Sequence, residues 1–349
     1  MKKNRYIFIV VIILAVIAAV LVMSRTGGTF KKQLKDFAVD DTSTVTKIFL
    51  ADKNNNTILL EKIAAGEWML NGKYKARKSG VDMLLETMLK LVPRAPVPKS
   101  GHNNVIAQLA ARSVKVEVYQ EVYRINLFNR IHLFPHEKLT KTYYVGGATP
   151  DNMGTFMLME GSSVPFIVHI LRFRGFVSTR YSTQERDWRD HTVFKKRLAE
   201  IQSVIMEFPG EPENSYKINK KNKTLTLINL TTDEIIPDFD TLKLLNYLTS
   251  FTDIRYEALL NDIDPHRKDS IINSTPKHIL TLIDIKGDST TIITFFKPND
   301  DEKYDIEGKL YVHDLDRLYA LINEDRDFVL IQYFVFDKVL RPLSYFNKS

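Results

Sequence analysis

The stretch Tyr6–Met23, YIFIVVIILAVIAAVLVM, is the feature that most narrows what this 349-residue chain can become. It contains no charged residue, Gly or Pro, with Lys2, Lys3 and Arg5 ahead of it and Arg25 behind. As a helix rising about 1.5 Å per residue it would be roughly 27 Å long, close to the hydrocarbon thickness of a bilayer. A cleaved leader has an apolar core of about 7–15 residues followed by a small-x-small site. This run is longer and leaves through Val20, Leu21, Val22, Met23 and Ser24, and no cysteine is present for lipid attachment. The expectation is an uncleaved, single-pass transmembrane helix over residues 6–23, with residues 1–5 a cytoplasmic tail and the bulk of the chain translocated.

About 325 residues follow, enough for two ordinary domains. With 44% hydrophobic residues the chain can bury a core. The absence of cysteine excludes disulfides, thiolate metal sites and cysteine nucleophiles. The formal charge of +7 does not indicate a nucleic-acid partner. Seven of the 49 Lys and Arg lie in residues 1–35 with no acid, which leaves 42 basic against 42 acidic side chains in residues 36–349. Within that neutral remainder, residues 36–200 carry 24 basic and 17 acidic groups and residues 201–349 carry 18 and 25. Such a split fits an electrically polar ectodomain, and equally two halves held together by opposite charge.

Residues 24–41 read as a membrane-proximal stem. Phe30, Leu34 and Phe37 recur at helical spacing among Lys31, Lys32 and Lys35, which suits either a short interfacial helix or a soluble tether. From Val45 the texture becomes β-like: VTKIFLAD, TILLEKI and EWMLN alternate, with turn signals at Asn54-Asn55-Asn56 and Ala65-Gly66. In KSGVDMLLETMLKLVPR, residues Val81, Leu84, Leu85, Met88, Leu89 and Leu91 form one helical face, capped by Ser79 and stopped by Pro93. NNVIAQLAAR is a second short helical run. It precedes the strands VKVEVYQ, YRINLF, KTYYVGG, TFMLME and PFIVHI. The second half replays this order, and Val168-His169-x-Leu171 matches Val312-His313-x-Leu315. The expected architecture is α+β: two similar mixed domains of antiparallel sheets with packed helices, over residues 42–200 and 201–349, related by duplication.

The run from Phe37 through Leu91, with Gly66, Trp68, Tyr74, Val81, Leu84 and Leu85, resembles the opening of the bacterial family known as domain of unknown function 4340. YYVGGATPDNMGTFMLMEGSSVPFIV is similar to its Gly-x-x-x-Pro-Asp turn and strand pair, and DWRDHTVF to its Trp-Arg closing segment. The resemblance covers about residues 37–200; the second half matches in pattern only. It implies a periplasm-facing protein of the inner membrane, without established catalytic residues. Members are often encoded near ABC-type transport components of the gliding auxiliary kind.

Few residues suggest chemistry. His132 and His136 have the spacing of two zinc ligands on a helix, but Pro135 lies between them and no Glu follows His132. Asp187, Trp188, Arg189, Asp190 and His191 place acid and imidazole side by side, and an inter-domain junction crosslinked by Arg–carboxylate pairs explains them as well as an acid–base pair does. Asn299, Asp300, Asp301 and Glu302 lack the alternating ligands and central Gly of a calcium loop. No phosphate-binding Gly motif occurs. The expectation is a non-enzymatic envelope protein that binds other proteins, as an accessory of a transport, secretion or gliding complex. It needs no cofactor, metal or nucleic acid. The alternatives are a periplasmic pair of ligand- or polymer-binding domains and, behind it, an envelope hydrolase using the Asp187–His191 group.

Overall fold

In the computed structural model the described residues are 10–18, 36–127, 131–221, 224–300, 302–323 and 327–348, without the side chains of residues 126, 127, 131 and 132. Helix α1 covers residues 10–18. No helix among the described residues is long and apolar enough to cross a membrane. The expected transmembrane helix over 6–23 is therefore corrected to this shorter helix; residues 1–9 and 19–35 lie outside the described residues. The far end of the expected stem is folded. Phe37 and Val39 are fully buried, and Phe37 meets Tyr143 and Phe166 edge to face at 6.1 and 6.2 Å, so its ring is not at a lipid boundary.

The chain divides into two units, Met1–Asp190 and His191–Ser349. The first is built on β1 (Val45–Ala51), β2 (Thr57–Ala64), β3 (Glu67–Leu70), β4 (Tyr74–Lys75), β5 (Leu91–Pro96), β6 (Val114–Leu127), β7 (Ile131–Ala148), β8 (Thr155–Met159) and β9 (Phe166–Ile170). These form one nine-stranded sheet in the order β4-β3-β2-β1-β6-β7-β8-β9-β5. The β1–β2 turn is closed by Asp52, whose Oδ1 accepts from the Asn54 and Asn56 amides while Asn55 adopts φ 65°. Helix α2 (Lys78–Lys90) starts at Arg77, and Ser79 lies inside it rather than capping it. It ends at Lys90 because Leu91 and the prolines that follow take extended backbone and become β5. Val81, Leu84 and Met88 pack on the sheet's main core. Helix α3 (Lys99–Arg112) covers part of the other face, where Val105 and Leu109 meet Phe156, Leu158 and Ile167.

The second unit has β10 (Thr192–Phe194) paired with β15 (Ile254–Arg255). Its main sheet comprises β11 (Ile201–Glu207), β12 (Tyr216–Lys221), β13 (Thr224–Asn229), β14 (Ile235–Ile236), β16 (Ala258–Leu259), β17 (His278–Asp284), β18 (Ser289–Pro298), β19 (His313–Ile322) and β20 (Asp327–Gln332). The order is β14-β13-β12-β11-β17-β18-β19-β20-β16, position for position that of the first sheet. In each main sheet a 3-10 turn directly precedes the strand that comes first in the chain, β1 or β11, and a bulge interrupts that strand's pairing after its first residue, at Val45/Lys47 and at Ile201/Ser203. Helix α4 (Thr241–Thr249), capped by the Asp240 carboxylate, packs Leu244, Tyr247 and Leu248 into the main core. Helix α5 (Pro265–Ile272) brings Ile271 and Ile272 to a smaller cluster of Phe295, Tyr319, Leu321 and Phe328.

The α+β expectation is thus corrected: the units are mostly antiparallel sheet, with few helices. The physical reason shows in DLDRLYALI, whose unbroken apolar run reads as a closing helix. It is strand β19. Leu318, Ala320 and Ile322 face one cluster and Tyr319 and Leu321 the other. A strand covered on both faces loses the polar alternation that identifies strands.

Gly146 in β7 marks where α3 sits closest to the sheet. A Cβ there would lie 2.6 Å from Leu109 Cδ2 and 3.0 Å from the Phe156 carbonyl oxygen. Gly146→Val is expected to lower the stability of the first unit by about 1–3 kcal/mol through overpacking, read as a drop in its thermal midpoint.

Candidate functional site

A cleft of about 810 Å³ opens in the first unit, where α2 passes the β5 and β9 ends of the sheet. The face of α2 that carries Val81, Leu84 and Met88 is consumed by the core. Residues off that face, Met83, Glu86, Leu89 and Lys90, line the cleft together with Val92 of β5, Ile170 of β9 and the turn Leu171–Arg172–Phe173. Met83 is 49% exposed, Leu89 43% and Leu171 65%. The floor is therefore apolar and open to solvent.

Its charge is lopsided. Lys90, Arg172 and Arg180 line it against one carboxylate, Glu86. Glu86 is engaged with Lys90 at 2.5 Å, and the hydrogen bond and charge of that lysine hold its carboxyl below the usual range. Arg180 is fixed: its Nη1 donates to the Thr87 hydroxyl at 2.8 Å, and the guanidinium lies 4.8 Å from the Phe173 ring centre. Thr87 is itself fully buried and donates to the Met83 carbonyl. Arg172 has no carboxylate partner among the described residues, and it holds a left-handed backbone of φ 65°. That conformation usually goes to Gly, Asn or Asp. A long cationic side chain at the mouth is thus kept in spite of local backbone strain. Strand addition is not what this edge offers, because Pro93 and Pro96 remove donors from β5.

The five residues singled out from sequence occupy a different place. Trp188 is 4% exposed; its Nε1 donates to the Ser182 carbonyl at 2.8 Å, and its own carbonyl accepts from the Arg77 amide at 2.7 Å. Arg189, 6% exposed, stacks its guanidinium 3.5 Å from the Tyr74 ring centre and pairs with Glu185. Asp187 accepts from the Ser182 hydroxyl, and its carbonyl accepts from Arg77 Nη2. The Asp190 amide donates to the Lys75 carbonyl. These four close the first unit. His191 opens the second, stacked on Tyr256 at 4.4 Å.

His132 and His136 both fall on β7, not on a helix. Four residues along a strand separate positions by roughly 13 Å, too far for one metal. Asp300 is taken up by Lys297 and Arg267, and Asn299 closes its own turn through the Lys303 and Tyr311 carbonyls; Asp301 lies outside the described residues. Among the described residues no group of three or more His, Asp or Glu could hold a metal ion.

Sequence reasoning passed over the cleft. Its one legible signal was the alternation Leu171-Arg172-Phe173-Arg174, together with apolar residues Met83 and Leu89 left over once the core face of α2 is filled. No family model, curated protein or solved structure matches the chain.

Proposed function

We propose that the protein is a membrane-attached component of a bacterial envelope, its two units on the periplasmic side, which binds another protein through the cleft of the first unit. The observation that carries this reading is the cleft's make-up: an open apolar floor under three cations and a single, already paired, carboxylate. Such a surface fits a segment bearing apolar side chains next to acidic ones, since apolar contact supplies affinity and charge supplies orientation. The eighteen-residue apolar run near the start supports attachment to lipid. The motif resemblance described above points the same way, towards an accessory of a transport, secretion or gliding complex.

The test is a photo-crosslinking residue at Leu171 of the full chain in its native membrane. A discrete protein adduct is expected, and Arg172→Glu combined with Lys90→Glu should reduce it about tenfold or more, as loss of two cationic contacts weakens an interface and its association rate. An adduct of unchanged yield, or no protein adduct at all, overturns the reading. One observation favours a second reading, an anionic amphiphile as ligand: about 810 Å³ falls in the range of small-molecule sites. A bound anionic molecule retained in native mass spectrometry, and lost in the same double variant, would select it.

A further inference from the structure

Strands β6 and β7 outrun their neighbours. β1 follows β6 only to Gln120, and β8 follows β7 only from Tyr143 onward, yet the β6–β7 pairing continues out to Leu127–Ile131. The result is a two-stranded ribbon that passes Gln120 by seven residues, about 24 Å at 3.4 Å per residue. Paired residues share a face, so Tyr123 lies with Pro135 and Ile125 with Leu133. Tyr123, Ile125 and Leu133 are 39%, 41% and 44% exposed, and Phe134 on the reverse side is 64% exposed. Nearer the sheet the same face turns polar. Glu137 accepts from the Thr46 hydroxyl and from Lys47, and the Tyr123 hydroxyl donates to Glu121. Polarity therefore changes along the ribbon axis, with carboxylates at the base and apolar side chains beyond them. An apolar face of this kind, on a ribbon without sheet neighbours among the described residues, marks an interaction surface.

The covalent path of the chain indicates what covers it. The ribbon leaves the sheet beside the residues by which the N-terminal segment arrives. Lys141 at its base pairs with the Asp36 carboxylate at 2.9 Å and donates to the Asp36 carbonyl, and Gln120 donates to the Asp41 carbonyl and to the Thr44 hydroxyl. Only residues 24–35 separate Asp36 from the end of the apolar run at Met23. The thirteen steps from Met23 to Asp36 reach at most about 47 Å, so the ribbon base stays within that distance of whatever holds the run. We propose that the outer part of the ribbon enters the interfacial layer of that bilayer, its apolar side chains among the acyl chains and Tyr123 at the headgroup level. Aromatic rings with one polar end favour that depth. This rests on the reading that the apolar run is attached to lipid, and the ribbon would orient the first unit against the membrane.

The absence of cysteine makes the test direct. Ile125→Cys, Tyr123→Cys and, as a control at the other end of β1, Asn54→Cys are each labelled with an environment-sensitive fluorophore in the full chain. The chain is then reconstituted into phosphatidylethanolamine–phosphatidylglycerol vesicles and floated. Labels at 125 and 123 should shift to the blue, brighten roughly threefold and be quenched by brominated acyl chains, while the label at 54 stays in water. Protein that floats with vesicles while all three labels remain unquenched overturns the ribbon's role and leaves membrane attachment standing. Protein that does not float overturns both. A blue shift that is the same in lipid-free detergent and rises with protein concentration assigns the face to a second copy and also overturns the proposal.

Discussion

Lowering the pH from 7 to 4 is expected to cost the second unit about 3 kcal/mol, most of it through one imidazole. His278 begins β17, 5% exposed, with Nδ1 2.8 Å from the Thr294 hydroxyl and its ring edge-on to Phe208 at 5.1 Å. Burial, reinforced by the charge of Lys277, pushes its pKa down to about 3. In the unfolded chain a histidine titrates near 6.5. Between those values the unfolded state binds a proton that the folded state refuses. Stability is thus fully present above about 6.5 and declines as pH falls towards 3, by roughly 1.4 kcal/mol per pH unit. The carboxylates act lower. Asp284 is held below the usual range by its bond to Lys196, helped by the Lys286 and Asp288 amides. For Asp314, burial works the other way but is outweighed by the Asp316 and Arg317 amides and Lys297. Their contribution is lost only as pH falls below the ordinary carboxylate range near 4. His278→Gln, which can keep a bond to Thr294, should be less stable at pH 7 through the lost contact with Phe208, but nearly flat from pH 6.5 to 4.5. Native-state hydrogen exchange of the β17 and β18 amides, corrected for intrinsic rates, measures both proteins. An equally steep decline in the variant would assign the acid sensitivity to another group.

How much of this could be read in advance divides along physical lines. Strands with one face on the core, such as TILLEKI, kept their alternation, and hairpin turns declared themselves through Asn55 and Gly66, both at positive φ. Segments covered on both faces did not. In β19 the local pattern points to helix, and pairing across the sheet decides otherwise; LVPRAP of β5, an edge strand with its last three residues exposed, reads as a stop because of its prolines and is held as a strand by β9. The matched Val-His pairs misled for a related reason. His169 lies in β9, whose counterpart by strand order is β20, whereas His313 begins β19. A four-residue likeness carries no information about which strand in the sheet it occupies. The cleft was illegible because it needs α2 and β5 together with the turn after β9, which lies some 80 residues further along the chain. The ribbon was half legible: VKVEVYQ and YRINLF look like separate strands, and only the pairing shows that they are one that continues past its neighbours.

Trp188→Ala should cost the first unit about 3–5 kcal/mol, the loss of a large buried aromatic and the cavity it leaves. The residue lies in a segment that looks like a hinge, a place where truncation is usually tolerated. Its surroundings contradict that. The ring belongs to the main core of the first unit and lies against Gly80 at the start of α2. Its Nε1 and carbonyl bind the Ser182 carbonyl and the Arg77 amide, so it joins the last stretch of the unit to the helix that lines the cleft. Trp188→Phe separates the two contributions. It keeps most of the apolar contact but leaves the Ser182 carbonyl without its partner, at a cost of about 1–3 kcal/mol. The measurement is unusually clean because the chain has two tryptophans and both report on the first unit; Trp68, 3% exposed, remains as the probe in either variant. Urea unfolding followed by its emission should rank wild type above Phe and Phe above Ala. A loss below about 1 kcal/mol in the alanine variant, ordinary for exposed positions, would mean that Trp188 does not hold this segment down and that 187–190 serves as a joint after all.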